Sequence, residues 1–379
     1  MKIAIVHDYL KEYGGAERVL KVLHEMYPEA PIYTAFSVKN SAAEKGFRGA
    51  KIVESWLAPL LKTGKLYSPL RFLTPWIWGS FDLSKYDLVI TSCSWYITRG
   101  FKIGKNTKVV AYCHTPPRWL YGYGTSVSFQ KYWPVKLYAL IVGHFLRMYD
   151  WNTAQSINHW IANSKNIAAR INKFYRKDSV VIYPPIEVEN IILETKDLKK
   201  EDYFLIVSRL VGAKGIEEAI KAFQSEALSK YKLKIVGEGA GFSDLEQRIA
   251  NMEYKNIELV GRVDDKELWE LYAKSKGFIA LSKDEDFGMT VVEAQAAGTP
   301  VVAFNGGGYR ESIIDPSTVR SGQVATGIFI NSTDKKTITS AIKKLGSKGW
   351  DKELIQENAK RFSKERFVKE FKKFVANRV

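Results

Sequence analysis

The stretch Ser282–Glu311 reads SKDEDFGMTVVEAQAAGTPVVAFNGGGYRE and carries two glutamates, Glu285 and Glu293, separated by seven residues. Between them Phe287, Gly288, Met289 and Thr290 form a turn, and Val291 opens a helix. The amides of Met289 and Thr290 point outward at that helix start and suit an anion. Glu293, read as lying in the first helical turn, suits hydroxyls that donate hydrogen bonds. One loop thus offers amides for a phosphate and carboxylates for a sugar. Arg209 and Lys214, five residues apart on a glycine-containing turn, are two cations that can grip a diphosphate beside a helix N-terminus. Gly14 and Gly15 follow the first apolar run and let backbone approach a ligand. His114 ends the run VVAYCHTP, ahead of prolines that stiffen the next loop.

Other chemistries fit these residues less well. Gly237–Gly241 (GEGAG) lacks the third glycine of a dinucleotide fingerprint, because Phe242 stands there, and no phosphate-binding GxxxxGK[ST] loop exists. Asp284 and Asp286 make a D-x-D pair, but Arg209 and Lys214 already supply the cationic charge a metal would bring. No metal and no cofactor are therefore expected. Cys93 and Cys113 end apolar strands, with no CxxC and no ligand cluster around them.

The elements that position these residues repeat one pattern. Lys2–Tyr9 (KIAIVHDY) reads as a buried strand, followed by a glycine turn and a helical run, AERVLKVLHEMY. Further strands are expected at Pro31–Ala35, Leu88–Ser92, Val109–Cys113, Ile161–Asn163 and Val180–Tyr183, with helices in Lys136–Ser156 and Lys165–Tyr175. After Pro184–Pro185 and a charged linker, Tyr203–Ser208 begins a second strand–turn–helix series. Its strands are expected at Lys232–Gly237, Ile257–Leu259, Gly277–Ser282, Pro300–Phe304 and Gly327–Ile330. This is an α/β chain of two doubly wound halves. Such halves bind ligands at the carboxyl ends of their strands, here expected to face a central cleft. The domains are set at 1–186 and 187–354, with 355–379 as a basic amphipathic helix crossing back to the first.

The length agrees with two domains, since 379 residues exceed the roughly 250–300 at which a single core stops growing. With 46% hydrophobic and 26% charged residues, a disordered or fibrous chain is excluded. No leader with a cleavage site and no spanning apolar run is read, which places the chain in the cytoplasm.

Several motifs together resemble the glycosyltransferases of family 4, of GT-B fold. They are GGAE (Gly14–Glu17), HTPPRWLY (His114–Tyr121), VIYPPIEVE (Val181–Glu189), SRLVGAKG (Ser208–Gly215), VGEG (Val236–Gly239), GRV (Gly261–Val263), the glutamate pair, and EAQAAGTPVVA (Glu293–Ala303). The resemblance implies two Rossmann-like domains and a retaining, metal-independent hexosyltransferase. In the family, residues at the positions of Arg209 and Lys214 hold the donor diphosphate. Glu293 corresponds to the ribose ligand, Glu285 to the sugar contact, Val263 to backbone against the base, and His114 to a group approaching the sugar. The turn Asp286–Phe287–Gly288, in place of the commoner G-F-G, resembles bacterial polysaccharide mannosyltransferases. GDP-mannose is then the first choice of donor and UDP-sugars the next, with a lipid-linked saccharide or other glycan as acceptor. A UDP-sugar 2-epimerase shares the two-domain shape, and a sugar-nucleotide-binding protein without transfer activity is the remaining alternative.

Charge and tryptophan are concentrated in the first half. Residues 1–180 hold 25 Lys and Arg against 11 Asp and Glu, and residues 181–379 hold 32 against 30. Eight of ten tryptophans also fall in the first half. The charge alone would suit nucleic acid, but no recognition motif supports it, and no nucleic-acid partner is expected. A basic, tryptophan-rich surface fits an anionic bilayer. Ser55–Phe81 (SWLAPLLKTGKLYSPLRFLTPWIWGSF) is the expected contact, with Lys62, Lys65 and Arg71 on headgroups and Trp76 and Trp78 in the interface. Peripheral attachment to the inner face of the cell membrane follows.

Overall fold

Short apolar runs rich in β-branched residues become the strands of two parallel sheets. The computed structural model describes residues 1–63, 67–123, 132–210, 214–239, 241–252, 255–319 and 324–379. They fall into two units, 1–185 with 365–379, and 186–364. In the first, β1 (Ile3–His7), β2 (Ile32–Thr34), β3 (Ile52–Glu54), β4 (Leu88–Cys93), β5 (Lys108–Cys113), β6 (His159–Ala162) and β7 (Ser179–Val181) lie in the order β3-β2-β1-β4-β5-β6-β7. In the second, β8 (Tyr203–Val207), β9 (Lys232–Val236), β10 (Ile257–Gly261), β11 (Gly277–Ala280), β12 (Val301–Phe304) and β13 (Gly327–Ile330) lie in the order β10-β9-β8-β11-β12-β13. These are two Rossmann-like sheets.

Parallel sheets bury both faces, which is why their strands read as unbroken apolar runs. In the first unit one face (Ile5, Leu88, Ile90, Val110, Tyr112) packs on Val19, Leu20 and Leu23 of the helix Gly15–Met26 and on Phe367 and Phe371 of the helix Lys364–Arg378. The opposite face (Ala4, Val6, Val89, Ala111) lies in a cluster with Trp78, Tyr96, Trp160 and Tyr175. In the second unit Phe204, Ile206, Leu233, Ile235 and Ile279 pack with Ala219, Ile220 and Phe223 of the helix Ile216–Phe223.

Two boundaries differ from the sequence reading. The half-buried edge strand β3 was not expected. The return to the first unit comes at residue 365, not 355. The helix Lys352–Lys360 stays with the second unit because its polar side chains are tied there. Gln356 donates to the Ala296 carbonyl at 3.0 Å and Asn358 to Gln295 Oε1 at 2.6 Å. Phe367, Phe371, Phe374 and Val375 of Lys364–Arg378 belong to the first core.

Each sheet reverses its strand order beside its first strand, between β1 and β4 and between β8 and β11. Ligand sites in such sheets form at the carboxyl ends of the strands at the reversal.

Candidate functional site

In the second unit the reversal brings the loop after β8 next to the loop after β11. Gly215 makes the approach possible. Its φ is +72°, and an added Cβ would lie 2.4 Å from Leu281 Cβ. The adjoining Lys214 reaches Glu285, with Nζ 2.7 Å from Oε2. The Tyr309 hydroxyl also donates to this carboxylate oxygen at 3.5 Å. Burial, then the Glu285 charge, raise the Tyr309 phenol far above its ordinary range. Glu285 is further fixed through its backbone, since its carbonyl accepts from the Gly308 amide at 2.9 Å. The glycines after β12 therefore clamp the loop after β11.

The glutamate loop differs in one detail from its expected form. Gly288, at φ +90°, caps the helix Met289–Ala296, so the helix begins at Met289 rather than Val291. Glu293 therefore lies in the second turn, not the first. It is 6% exposed and accepts a hydrogen bond from the Tyr272 hydroxyl at 3.0 Å. The Phe287 ring is buried against Phe362. Met289 and Thr290 are half-buried at the helix start. Arg209 lies exposed after β8, and Val263 is half-buried in the loop after β10. The turn residues 211–213 lie outside the described residues. Among the described residues no group of three or more His, Cys, Asp or Glu side chains is placed to hold a metal.

In the first unit the same sheet edge carries a polar cluster. His7, Ser92 and His114 extend the face of β1, β4 and β5 that packs on the helix Gly15–Met26, and His7 is the register partner of Ser92. Ser92 Oγ lies 3.1 Å from His7 Nδ1 and 2.8 Å from His114 Nε2. His7 Nε2 is 3.5 Å from Glu17 Oε1, and Glu17 Oε2 accepts from the Gly14 amide at 2.8 Å. His114 is 9% exposed, and burial, aided by His7, pulls its imidazole down to about 3. Burial alone would raise Glu17, but His7 and the Gly14 amide outweigh it and hold the carboxylate below its ordinary range. On the opposite face, burial raises Asp8 although it accepts from Ser94 Oγ and the Trp95 amide. Gly15 is exposed as the first residue of its helix.

Sequence reading missed His7, Glu17, Ser92, Tyr272 and Tyr309. A histidine ending the first strand and a glutamate three residues after Gly14 were the available signals.

The expected membrane segment divides. Trp76 is 58% exposed, but Trp78 is fully buried, with Nε1 donating to the Tyr96 carbonyl at 2.7 Å. Trp78 is a core residue and not a lipid contact. Arg71 is likewise held internally. Its Nε donates to the Ser68 carbonyl at 2.7 Å, and its guanidinium lies over the rings of Trp95 and Trp119. Lys62 pairs with Glu54 at 2.8 Å. Lys65 lies outside the described residues.

A different element exposes apolar surface. The helix Trp133–Gln155 shows Trp133 (75% exposed), Leu137, Leu140 (69%), Ile141, Phe145 (65%), Met148 and Trp151 at spacings of three and four residues. Its other face is anchored by Asp150, fully buried in an ion pair with Arg99 and accepting from the Tyr121 hydroxyl at 2.6 Å. Among the described residues no helix is long and apolar enough to cross a membrane.

Comparison with known proteins agrees with this layout. The family described as Glycosyltransferase Family 4 matches residues 13–190, and that described as Glycosyl transferases group 1 matches residues 188–364. An uncharacterized glycosyltransferase of Methanocaldococcus jannaschii is 26% identical over 204 residues, which is 54% of this chain and 54% of that protein. The match thus spans only about half of that relative. The alpha-1,3/1,6-mannosyltransferase ALG2 of Kluyveromyces lactis is 27% identical, over 86% of this chain and 74% of that one. The Anabaena protein HepE, solved in complex with UDP and glucose, superposes with a TM-score of 0.68 at 18% identity, over 99% of both chains. The two family matches together run from residue 13 to residue 364, and with both Rossmann-like sheets in place the chain belongs to the GT-B glycosyltransferases of family 4.

Proposed function

We propose that the chain is a retaining, metal-independent hexosyltransferase that moves mannose from GDP-mannose onto a lipid-linked saccharide. The observation that carries this reading is the Lys214–Glu285 pair at the strand reversal of the second unit. A cation for the diphosphate and a carboxylate for the sugar stand within one hydrogen bond of each other. Arg209 supplies the second cation, and Glu293 takes the ribose. Mannose is favoured by the D-F-G turn and by likeness to a mannosyltransferase. A UDP-sugar donor is the second reading, favoured by the UDP and glucose in the HepE structure.

Retention is supported by the first unit. At its sheet edge Glu17 is engaged by the Gly14 amide and His7, and Asp8 accepts through Oδ2 from Ser94 Oγ and the Trp95 amide. The loop His114–Gly124 holds no acid to serve as the base an inverting enzyme needs. The leaving phosphate takes the acceptor proton, and Arg209 and Lys214 stabilise the charge developing on it.

The exposed face of Trp133–Gln155 supports a lipid-borne acceptor. The helix carries Lys136 and Arg147, its single acid is buried, and it suits lying flat in an anionic interface. That would place the enzyme on the cytoplasmic face of the membrane.

The test is nucleotide release in EDTA from GDP-mannose and from UDP-sugars, with membrane lipid extract as acceptor. Acceptor-dependent GDP release and an α-linked product from the α-linked donor are expected. Binding without release would make the chain a sugar-nucleotide-binding protein, and a β-linked product would overturn retention.

A further inference from the structure

We propose that Glu17 fixes the tautomer of His114 through His7 and Ser92, leaving His114 Nδ1 unprotonated as a hydrogen-bond acceptor. The proton count follows from the distances. Glu17 is anionic, and its Oε1 faces His7 Nε2 at 3.5 Å, an electrostatic separation rather than a short hydrogen bond. An N–H at that position is attracted to the carboxylate, whereas a lone pair is repelled. With a single proton on His7, at Nε2, its Nδ1 is bare and must accept from the Ser92 hydroxyl 3.1 Å away. A serine has one proton to give, so its oxygen can only accept from the third member. His114 Nε2, 2.8 Å from that oxygen, therefore carries the proton. Burial keeps His114 neutral, and its single N–H is thus spent inside the protein. Nδ1 remains as an acceptor, the complement of a sugar hydroxyl. Were His7 doubly protonated, each hydrogen bond in the row would reverse and Nδ1 would become a donor.

Glu17, His7 and Ser92 are positioning residues, and the parallel register built them. His7 and Ser92 are paired across β1 and β4, and the capping contact of Glu17 with the Gly14 amide holds the carboxylate at the helix start. The role of Nδ1 toward a sugar rests on the transferase reading, whereas the tautomer does not.

The experiment is nitrogen-15 imidazole spectroscopy of the full chain with labelled histidine, without ligand. The chain has five histidines, so His114 is assigned by its loss in His114→Gln. In the parent protein His114 should show a protonated Nε2 and a bare Nδ1. Ser92→Ala and Glu17→Gln should each turn this into a tautomer mixture, and Ser92→Thr, which keeps the hydroxyl, should restore the single form. Where transfer is measurable, Ser92→Ala should lower kcat about tenfold, with Ser92→Thr recovering it. A parent His114 protonated at Nδ1 would overturn the inference. So would a tautomer that neither variant changes. Either result would leave the transferase reading standing. Conversely, a chain that transfers no sugar would still show the tautomer.

Discussion

The ammonium of Lys214 lies 2.7 Å from Glu285 Oε2, so two groups given separate duties toward a donor neutralise each other in its absence. In the proposed reading, a diphosphate arriving here would replace one anion partner of Lys214 with another and release Glu285 toward a sugar hydroxyl. A charge-assisted bond to an anion contributes about 1.5–3 kcal/mol. Lys214→Ala and Arg209→Ala should therefore each weaken donor binding by roughly tenfold or more. Glu285→Gln should bind nucleotide diphosphate nearly as well as the parent but lose turnover. Calorimetric titration with GDP checks the first two, and unchanged affinity in both would remove them from the site.

Gly307 tests the clamp behind Glu285. Its φ is +55°, and an added Cβ would stand 2.2 Å from the Glu285 carbonyl oxygen. Gly307→Ala should cost on the order of 1–3 kcal/mol of stability. It should also weaken donor binding, because the Glu285 backbone must move. Gly349, which an added Cβ would leave in open space, is the control, and Gly349→Ala should change neither. Equal urea midpoints for Gly307→Ala and the parent would contradict the clamp.

His114 makes a prediction in pH. Its folded-state value of about 3 lies below the ordinary 6.5. Below pH 6.5 the unfolded chain binds a proton that the folded chain refuses until about pH 3. The stability linked to this residue is present above 6.5 and is lost as pH falls toward 3. His114→Gln removes the linkage, so its unfolding midpoint should fall less steeply than the parent's between about pH 6 and 4. Parallel slopes would contradict a buried neutral His114.

The exposed helix makes a prediction about surfaces. Leu140→Glu with Phe145→Glu should abolish sedimentation with anionic vesicles while leaving the unfolding midpoint nearly unchanged. Trp78→Ala should do the opposite, costing about 3–5 kcal/mol as a large core side chain is removed. If the double variant sediments like the parent, the helix is not the membrane face.

Much of this was legible in the sequence, and the failures have physical causes. The run Tyr203–Ser208 announced β8, because a buried parallel strand must be apolar throughout. The three-residue β3 (Ile52–Glu54) was silent because an edge strand is half-buried and short. Trp76 and Trp78 have the same type and a spacing of two, but on the short helix Thr74–Gly79 they point to different sides. Composition therefore marked both for the interface, and only packing separates them. A helix was expected within Lys136–Ser156, but not that the apolar stripe of Trp133–Gln155 would be exposed, because spacing alone does not say which face of a helix is covered. Tyr309 and Tyr272 were hidden because they meet Glu285 and Glu293 from separate helices, which no local spacing encodes.

The most direct measurement is a calorimetric titration of the purified chain, in EDTA, with GDP-mannose, UDP-glucose, UDP-galactose and UDP-N-acetylglucosamine, each repeated on Lys214→Ala. The account predicts saturable binding that is tightest for GDP-mannose and is weakened roughly tenfold or more by the substitution. Tighter binding of a UDP-sugar would contradict the choice of donor. No binding of any of the four, or binding indifferent to Lys214, would contradict the assignment of the donor site itself.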